Sequence, residues 1–156
     1  MPSSAHPLPP ESEAAPAARG RVLIVEDDPE AALFATVVLR DRGGFEVTRT
    51  ADPAVALVLA VSAPWDLVLT DVDLPVMSGL ELLAALRVRV PRVPVLLLTA
   101  SPDRAFPAPG GQAGRPGGLA SGRPDGLLVK PVRAERLLSA AVKLAAGGYR
   151  PGSPLN

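Results

Sequence analysis

Apolar positions along the chain switch repeatedly between unbroken runs and helical spacing. Val22 to Val25 is a continuous apolar run that stops at Glu26-Asp27-Asp28, the pattern of a strand buried on both faces. Asp28 followed by Pro29 supplies a helix N-cap and a first-turn proline. Leu33, Phe34, Val37 and Val38 then recur at helical spacing until Gly43-Gly44 stops the helix. Phe45-Glu46-Val47-Thr48-Arg49 alternates apolar with polar, which predicts a half-exposed edge strand. Ala54 to Ala63 reads as a second helix, closed before Pro64. Leu67-Val68-Leu69-Thr70 is another buried strand, and it runs into acid at Asp71 and Asp73. Ser78-Gly79-Leu80-Glu81 is a capping box that opens a helix through Val88. Val95 to Leu98 predicts a strand ending at Thr99, and Leu127-Leu128-Val129 a short one ending at Lys130. Ala134, Leu137, Leu138, Ala141, Val142 and Ala145 form a last helical stripe. The leucine- and valine-rich helices are read as core.

Strands that alternate with helices in this way predict a doubly wound α/β fold, a five-stranded parallel sheet with right-handed crossovers. One element lacks a sequence: the fourth helix, expected between the fourth and fifth strands. Residues 102–125 hold five Pro and six Gly, so a regular helix there is expected to be missing or replaced by a flexible loop. Residues 1–20, with five more prolines, are expected to be a disordered Pro/Ala-rich tail, and 148–156 a C-terminal tail. The folded domain is thus expected over 21–147, with 102–125 as an insert.

Composition narrows the chemistry. A formal net charge of +0 and an aromatic content of 3% argue against nucleic-acid coating, membrane adsorption and base stacking. The absence of Cys removes disulfides, thiolate metal sites and cysteine nucleophiles. The one histidine, His6, lies among prolines, which leaves no histidine base or histidine metal cluster. No signal-peptide pattern begins the chain and no apolar run approaches the ~20 residues of a membrane span, so the expected location is cytoplasmic.

In an open parallel sheet, ligands bind beyond the carboxyl ends of the strands. Glu26, Asp27, Asp71, Asp73, Thr99 and Lys130 all fall there. Carboxylates held ~4–6 Å apart repel by a few kcal/mol per pair and call for a cation. Oxygen ligands without His or Cys select a hard ion such as Mg²⁺. A free carboxylate beside that ion can attack phosphorus, with a lysine and a hydroxyl serving the phosphoryl oxygens.

These residues carry a resemblance to the receiver domains of two-component response regulators. It rests on Val22 through Asp28, on Asp66 through Pro75 with Gly79, on Pro94 through Ala100, and on Lys130-Pro131, and it covers about 21–147 apart from 102–125. The resemblance implies the strand order 2-1-3-4-5 and a bacterial phosphorelay protein. It implies Asp71 as phosphoacceptor, Asp27 as a direct Mg²⁺ ligand, Glu26 acting through a metal-bound water, and the Asp73 main-chain carbonyl completing the ligands. Thr99 is similar to the family's switch hydroxyl and Lys130 to its phosphate-binding lysine, before a cis proline at Pro131. Ala100 matches the small residue that admits a phosphodonor, and Asp28 serves as a helix cap. Leu127 stands where the family's switch aromatic is usual, and Val132 where a phenylalanine often follows Lys-Pro.

The function so implied is a single-domain response regulator. It would take a phosphoryl group from a sensor histidine kinase or histidine phosphotransfer protein in a Mg²⁺-dependent reaction and relay the signal by protein–protein contact. Direct DNA binding and membrane association are not expected, and homodimer formation is left open. The only reactions expected are its own phosphorylation and autodephosphorylation. Two alternatives stay beside it. One is a degenerate, phosphorylation-independent scaffold. The other is a haloacid dehalogenase-like phosphatase with Asp71 as nucleophile and Asp73 as general acid, whose further acidic motif would have to come from Glu81, Asp103, Asp125 or Glu135.

Overall fold

The structure is a computed structural model that describes residues 17–105 and 123–147. Five parallel strands form one sheet: β1 (Arg21–Val25), β2 (Glu46–Thr50), β3 (Leu67–Asp71), β4 (Val95–Thr99) and β5 (Gly126–Val129), in the order β2-β1-β3-β4-β5. The helices are α1 (Pro29–Val37), α2 (Pro53–Ser62), α3 (Gly79–Arg89), α4 (Pro102–Ala105) and α5 (Ala134–Ala146). Among the described residues no helix is long and apolar enough to cross a membrane.

The period of two along each strand divides the core into two layers. Val22, Ile24, Leu67, Leu69, Leu96 and Leu98 pack with Ala35, Leu39, Leu137 and Ala141 of the α1/α5 side. Leu23, Val25, Val68, Val95 and Leu97 pack with Ala56, Ala60, Leu82 and Leu86 of the α2/α3 side. Strands β3 and β4, covered on both faces, are buried along their full length. Alternating β2 is an edge strand, as its pattern predicts.

Local signals act as read. The Asp28 side chain accepts the Glu30 N–H at 3.0 Å, and the capping box at Ser78 and Glu81 is closed in both directions. α1 continues into a π-helical turn, Val38–Arg42, before Gly44 takes a positive φ of 71°. Asp125, just ahead of β5, is buried. It accepts 2.7 Å hydrogen bonds from the Val95 amide and the Arg87 guanidinium, which also reaches the Val93 and Arg123 carbonyls.

One expectation is corrected. Of the apolar residues that mark the first helix, Val38 enters the core but Leu33, Phe34 and Val37 are exposed, and the buried positions of α1 are Ala32, Ala35 and Thr36. The same inversion occurs in α2, where Val55, Val58 and Val61 face outward and Ala56 and Ala60 inward. Periodicity identifies residues that share a face but not which face is buried: α1 and α2 bury their smaller side chains, whereas α3 and α5 bury Leu82, Leu83, Leu86 and Leu137. Just ahead of the first β1–β2 pair, Arg21 with Glu46, Arg19 donates to the Gly44 carbonyl at 2.9 Å and the Gly20 carbonyl accepts from Glu46. The insert is ordered at its two ends, with a single helical turn at Pro102–Ala105 and the anchored Asp125. Expectations for residues 1–16, 106–122 and 148–156 lie outside the described residues.

Candidate functional site

Strand register brings the polar residues together. Val25 pairs with Thr70, so Glu26 emerges level with Asp71. Asp71 pairs with Leu98, and Thr99 with Val129, which sets Thr99 one step beyond Asp71 and delivers Lys130 to the same edge. Carboxylate oxygens of Glu26, Asp27 and Asp71 lie within 4.8 Å of one another. Glu26 and Asp71 are buried, and Asp27 is exposed at the pocket's rim.

Lys130 crosses this acidic group. Its Nζ lies 2.9 Å from Asp71 Oδ2 and 3.2 Å from Glu26 Oε2. Burial works against the Lys130 ammonium, but the hydrogen bond and charge of Asp71, followed by those of Glu26, outweigh it and leave the lysine's pKa above its ordinary value. For Glu26, burial is the largest influence. Together with the Asp71 charge it raises the carboxyl above its ordinary value, against the Asp28 amide and Lys130. The Lys130–Pro131 peptide is cis.

Backbone groups hold the carboxylates in place. Asp71 Oδ1 accepts the Asp73 amide at 3.2 Å, and Glu26 Oε1 the Asp28 amide at 3.1 Å. Gly79, at the start of α3, presses its backbone on β3: a Cβ there would lie 2.2 Å from the Asp71 carbonyl oxygen. Only glycine allows that approach.

All six residues singled out in the sequence therefore meet at one edge, in different postures. Glu26, Asp71 and Lys130 are in direct contact and Asp27 borders them. Thr99 is buried, its Oγ accepting the Ser101 amide at 3.0 Å, and its carbonyl accepts the Lys130 amide at 2.8 Å. Asp73 is exposed and reaches Asp71 through its backbone amide. Ala100 is exposed beside Thr99. Leu127, partly buried, packs into the α2/α3 layer.

The donor set is all oxygen, three carboxylates with one exposed to solvent, which fits a small hard dication such as Mg²⁺. The acids that a phosphatase would need do not join it. Asp125 is tied to Arg87 ahead of β5, Glu81 caps α3, and Glu135 pairs with Arg42 at 3.5 Å. The direct Lys130–Glu26 contact has no sequence signal, because the partners are 104 positions apart.

Comparison with known proteins agrees with this arrangement. Residues 22–142 match the family model of the response regulator receiver domain. The chain is 37% identical over 137 residues to the response regulator protein FleR of Pseudomonas aeruginosa, covering 85% of this chain and 26% of that protein. It is 33% identical over 121 residues to the DNA-binding response regulator MtrA of Mycolicibacterium smegmatis, covering 78% of this chain and 48% of that one. It thus spans about a quarter to a half of these relatives. Among solved structures it is similar to the receiver domain of the sensor histidine kinase PA1611 from Pseudomonas aeruginosa PAO1, described with magnesium coordinated in its active-site cleft. That match has a TM-score of 0.66 and 29% identity, and covers 81% of this chain and 97% of the other. Chemotaxis response regulator CheY4 of Vibrio cholerae matches with a TM-score of 0.64 and 32% identity, over 80% of this chain and 97% of the other.

Proposed function

Because the chain belongs to the response regulator receiver domain family, a family of signalling domains, we propose that Asp71 accepts a phosphoryl group from a histidine kinase or histidine phosphotransfer protein. The observation that carries this reading is the position of Asp71. It ends a central strand, hydrogen-bonded to Lys130 and within 4.8 Å of the Glu26 and Asp27 carboxylates.

The geometry supports the following roles. An Asp71 carboxylate oxygen attacks phosphorus, an O–P bond forms, and the P–N bond to the donor imidazole breaks. The electron pair passes to the imidazole nitrogen, which takes up a proton. Asp27, Asp71, Glu26 through a bound water, and the Asp73 carbonyl would hold Mg²⁺. When bound, the ion neutralises charge that develops on the phosphoryl oxygens. Lys130, whose charged form Asp71 and Glu26 favour against its burial, stabilises the same oxygens by hydrogen bonding and charge. The Thr99 hydroxyl, one step beyond Asp71 on the neighbouring strand, is the group proposed to respond to phosphorylation. Leu127 cannot offer the hydroxyl or ring of a switch aromatic, so that response runs through Thr99 and Lys130 without it.

Incubation of the wild type and Asp71→Asn with Mg²⁺ and acetyl phosphate tests the proposal. An acid-stable, base-labile phosphoprotein that is lost in the variant supports it. Absence of labelling in the wild type, or equal labelling of both, overturns it. Steady turnover of phosphomonoesters would favour a phosphatase instead.

A further inference from the structure

Away from the acidic pocket, the π-helical turn that ends α1 and one side of α5 enclose an open groove of about 590 Å³. Its walls are Arg42, Glu135, Leu138, Ser139, Val142 and Lys143. Leu138 and Val142 give it an apolar floor, and both are only partly buried. Arg42 and Lys143 make the rim basic. Glu135 answers Arg42 at 3.5 Å. Among the described residues no carboxylate lies within ion-pair distance of Lys143.

The chain enters the fold at the edge of this groove. Arg19 is hydrogen-bonded to Gly44. Adjacent Gly43 lies so close to α5 that a Cβ on it would stand 2.9 Å from Leu138 Cδ1. The residues that precede Ala17 join the described fold two positions before Arg19. Their composition complements the groove: Glu11 and Glu13 are acidic, no Lys or Arg occurs before Arg19, and Leu8-Pro9-Pro10 and Ala14-Ala15-Pro16 flank the acids. The reach also suffices. An extended chain covers about 3.3 Å per residue, so Glu13 can stand about 13 Å from Ala17. Leu138 and Lys143 are only about 7.5 Å apart along the helix.

We infer that residues 8–16 dock back into this groove. Glu11 and Glu13 pair with Lys143 and Arg42, and Leu8 and the prolines cover Leu138 and Val142. Proline favours an extended backbone in the free chain, which lowers the ordering cost of such docking. A tether of a few residues also gives the segment a high effective concentration at the groove. The ion pairs are exposed, so occupancy falls as salt rises. A partner that reads this side of α5 has to displace the segment first.

The absence of cysteine makes a direct test simple. A nitroxide attached through Ser12→Cys in the full chain should erase the amide signals of residues 138–143 in a nitrogen-15 spectrum. The tether alone keeps residues 42–44 and the adjoining end of α5 near the label, so the readout is the drop in broadening at 138–143 on Lys143→Glu or added salt, measured against the broadening at 42–44. The loss at 138–143 should be reversed by Lys143→Glu, a change at an exposed position, and by high salt. Signals that stay intact, that vanish regardless of Lys143→Glu and salt, or that vanish instead on the outward faces of α1 or α2 overturn the inference. Label and isotope are then placed on separate chains and mixed. Signal loss that persists in the mixture means that a second copy occupies the groove, which also overturns it.

Discussion

Replacing Asp27 by Asn should make the metal-free protein more stable while it weakens the proposed metal site. Asp27 contributes one of three carboxylates whose oxygens lie within 4.8 Å, and Lys130 contacts only Asp71 and Glu26. At that separation each like-charge pair costs about 3.5 kcal/mol at an effective dielectric of 20 and about 0.9 kcal/mol in bulk water. Asp27 is exposed and the Lys130 ammonium offsets part of the field, so the lower figure governs. The expected gain is about 1 kcal/mol, or about 4 °C in Tm for a domain of this size. Trp65, the only tryptophan, is buried in the α2/α3 layer with its indole N–H on the Leu59 carbonyl at 2.8 Å, and its fluorescence reports unfolding. Urea denaturation in a chelator should show the gain at low ionic strength and its shrinkage in about 1 M salt, where the Debye length falls to about 3 Å. Excess Mg²⁺ should reverse the order of the two proteins, because only the wild type gains by binding the ion tightly. A variant less stable than the wild type without metal, or a gain indifferent to salt, would refute the reasoning.

Three further substitutions probe the supports of the site. Asp125→Ala strands the Val95 amide and one side of the Arg87 guanidinium, and should cost about 3 kcal/mol in the same denaturation experiment; a loss under about 0.5 kcal/mol, the range of an ordinary surface change, would contradict the proposed anchoring. Gly79→Ala places a methyl 2.2 Å from the Asp71 carbonyl oxygen. It should cost about 1–3 kcal/mol and slow labelling by acetyl phosphate, and unchanged labelling would show that α3 does not position Asp71. Asp73→Asn, two residues after the proposed phosphoacceptor at an exposed position that a hydrolytic water can reach, should change the lifetime of the phosphorylated protein yet leave Mg²⁺-dependent labelling intact. An identical decay rate would remove Asp73 from that role.

The strands and the site edge were legible because their signals are local. A continuous apolar run has to lie in a doubly covered strand, as Leu67–Leu69 and Val95–Leu98 do, and an acid at its end has to emerge at the sheet's carboxyl edge. The orientation of α1 and α2 was not legible. Leu33, Phe34 and Val37 share a face by period, but that face loses to Ala32, Ala35 and Thr36, whose size lets the helix lie close to β1 and β2. The Arg87–Asp125 and Glu26–Lys130 pairs were equally hidden. Their partners are 38 and 104 positions apart, and only the finished sheet brings them together. The π-helical turn at Val38–Arg42, which buries Val38 and Leu39 side by side, has no sequence mark beyond the glycines that end it.

Strand β5 has four residues, none fully buried, and Val129 is half exposed. Leu127 and Leu128 pack against the two core layers from this outer position. The strand behaves like a short cable moored at both ends by charge: Asp125 to Arg87 below, and Lys130 to Asp71 and Glu26 above. One mooring is Asp71, the proposed phosphoacceptor. Under the proposed function, a phosphoryl group on Asp71 would change the charge that Lys130 meets at this end of β5, a route from the site to an outer strand of the sheet that needs no aromatic at Leu127.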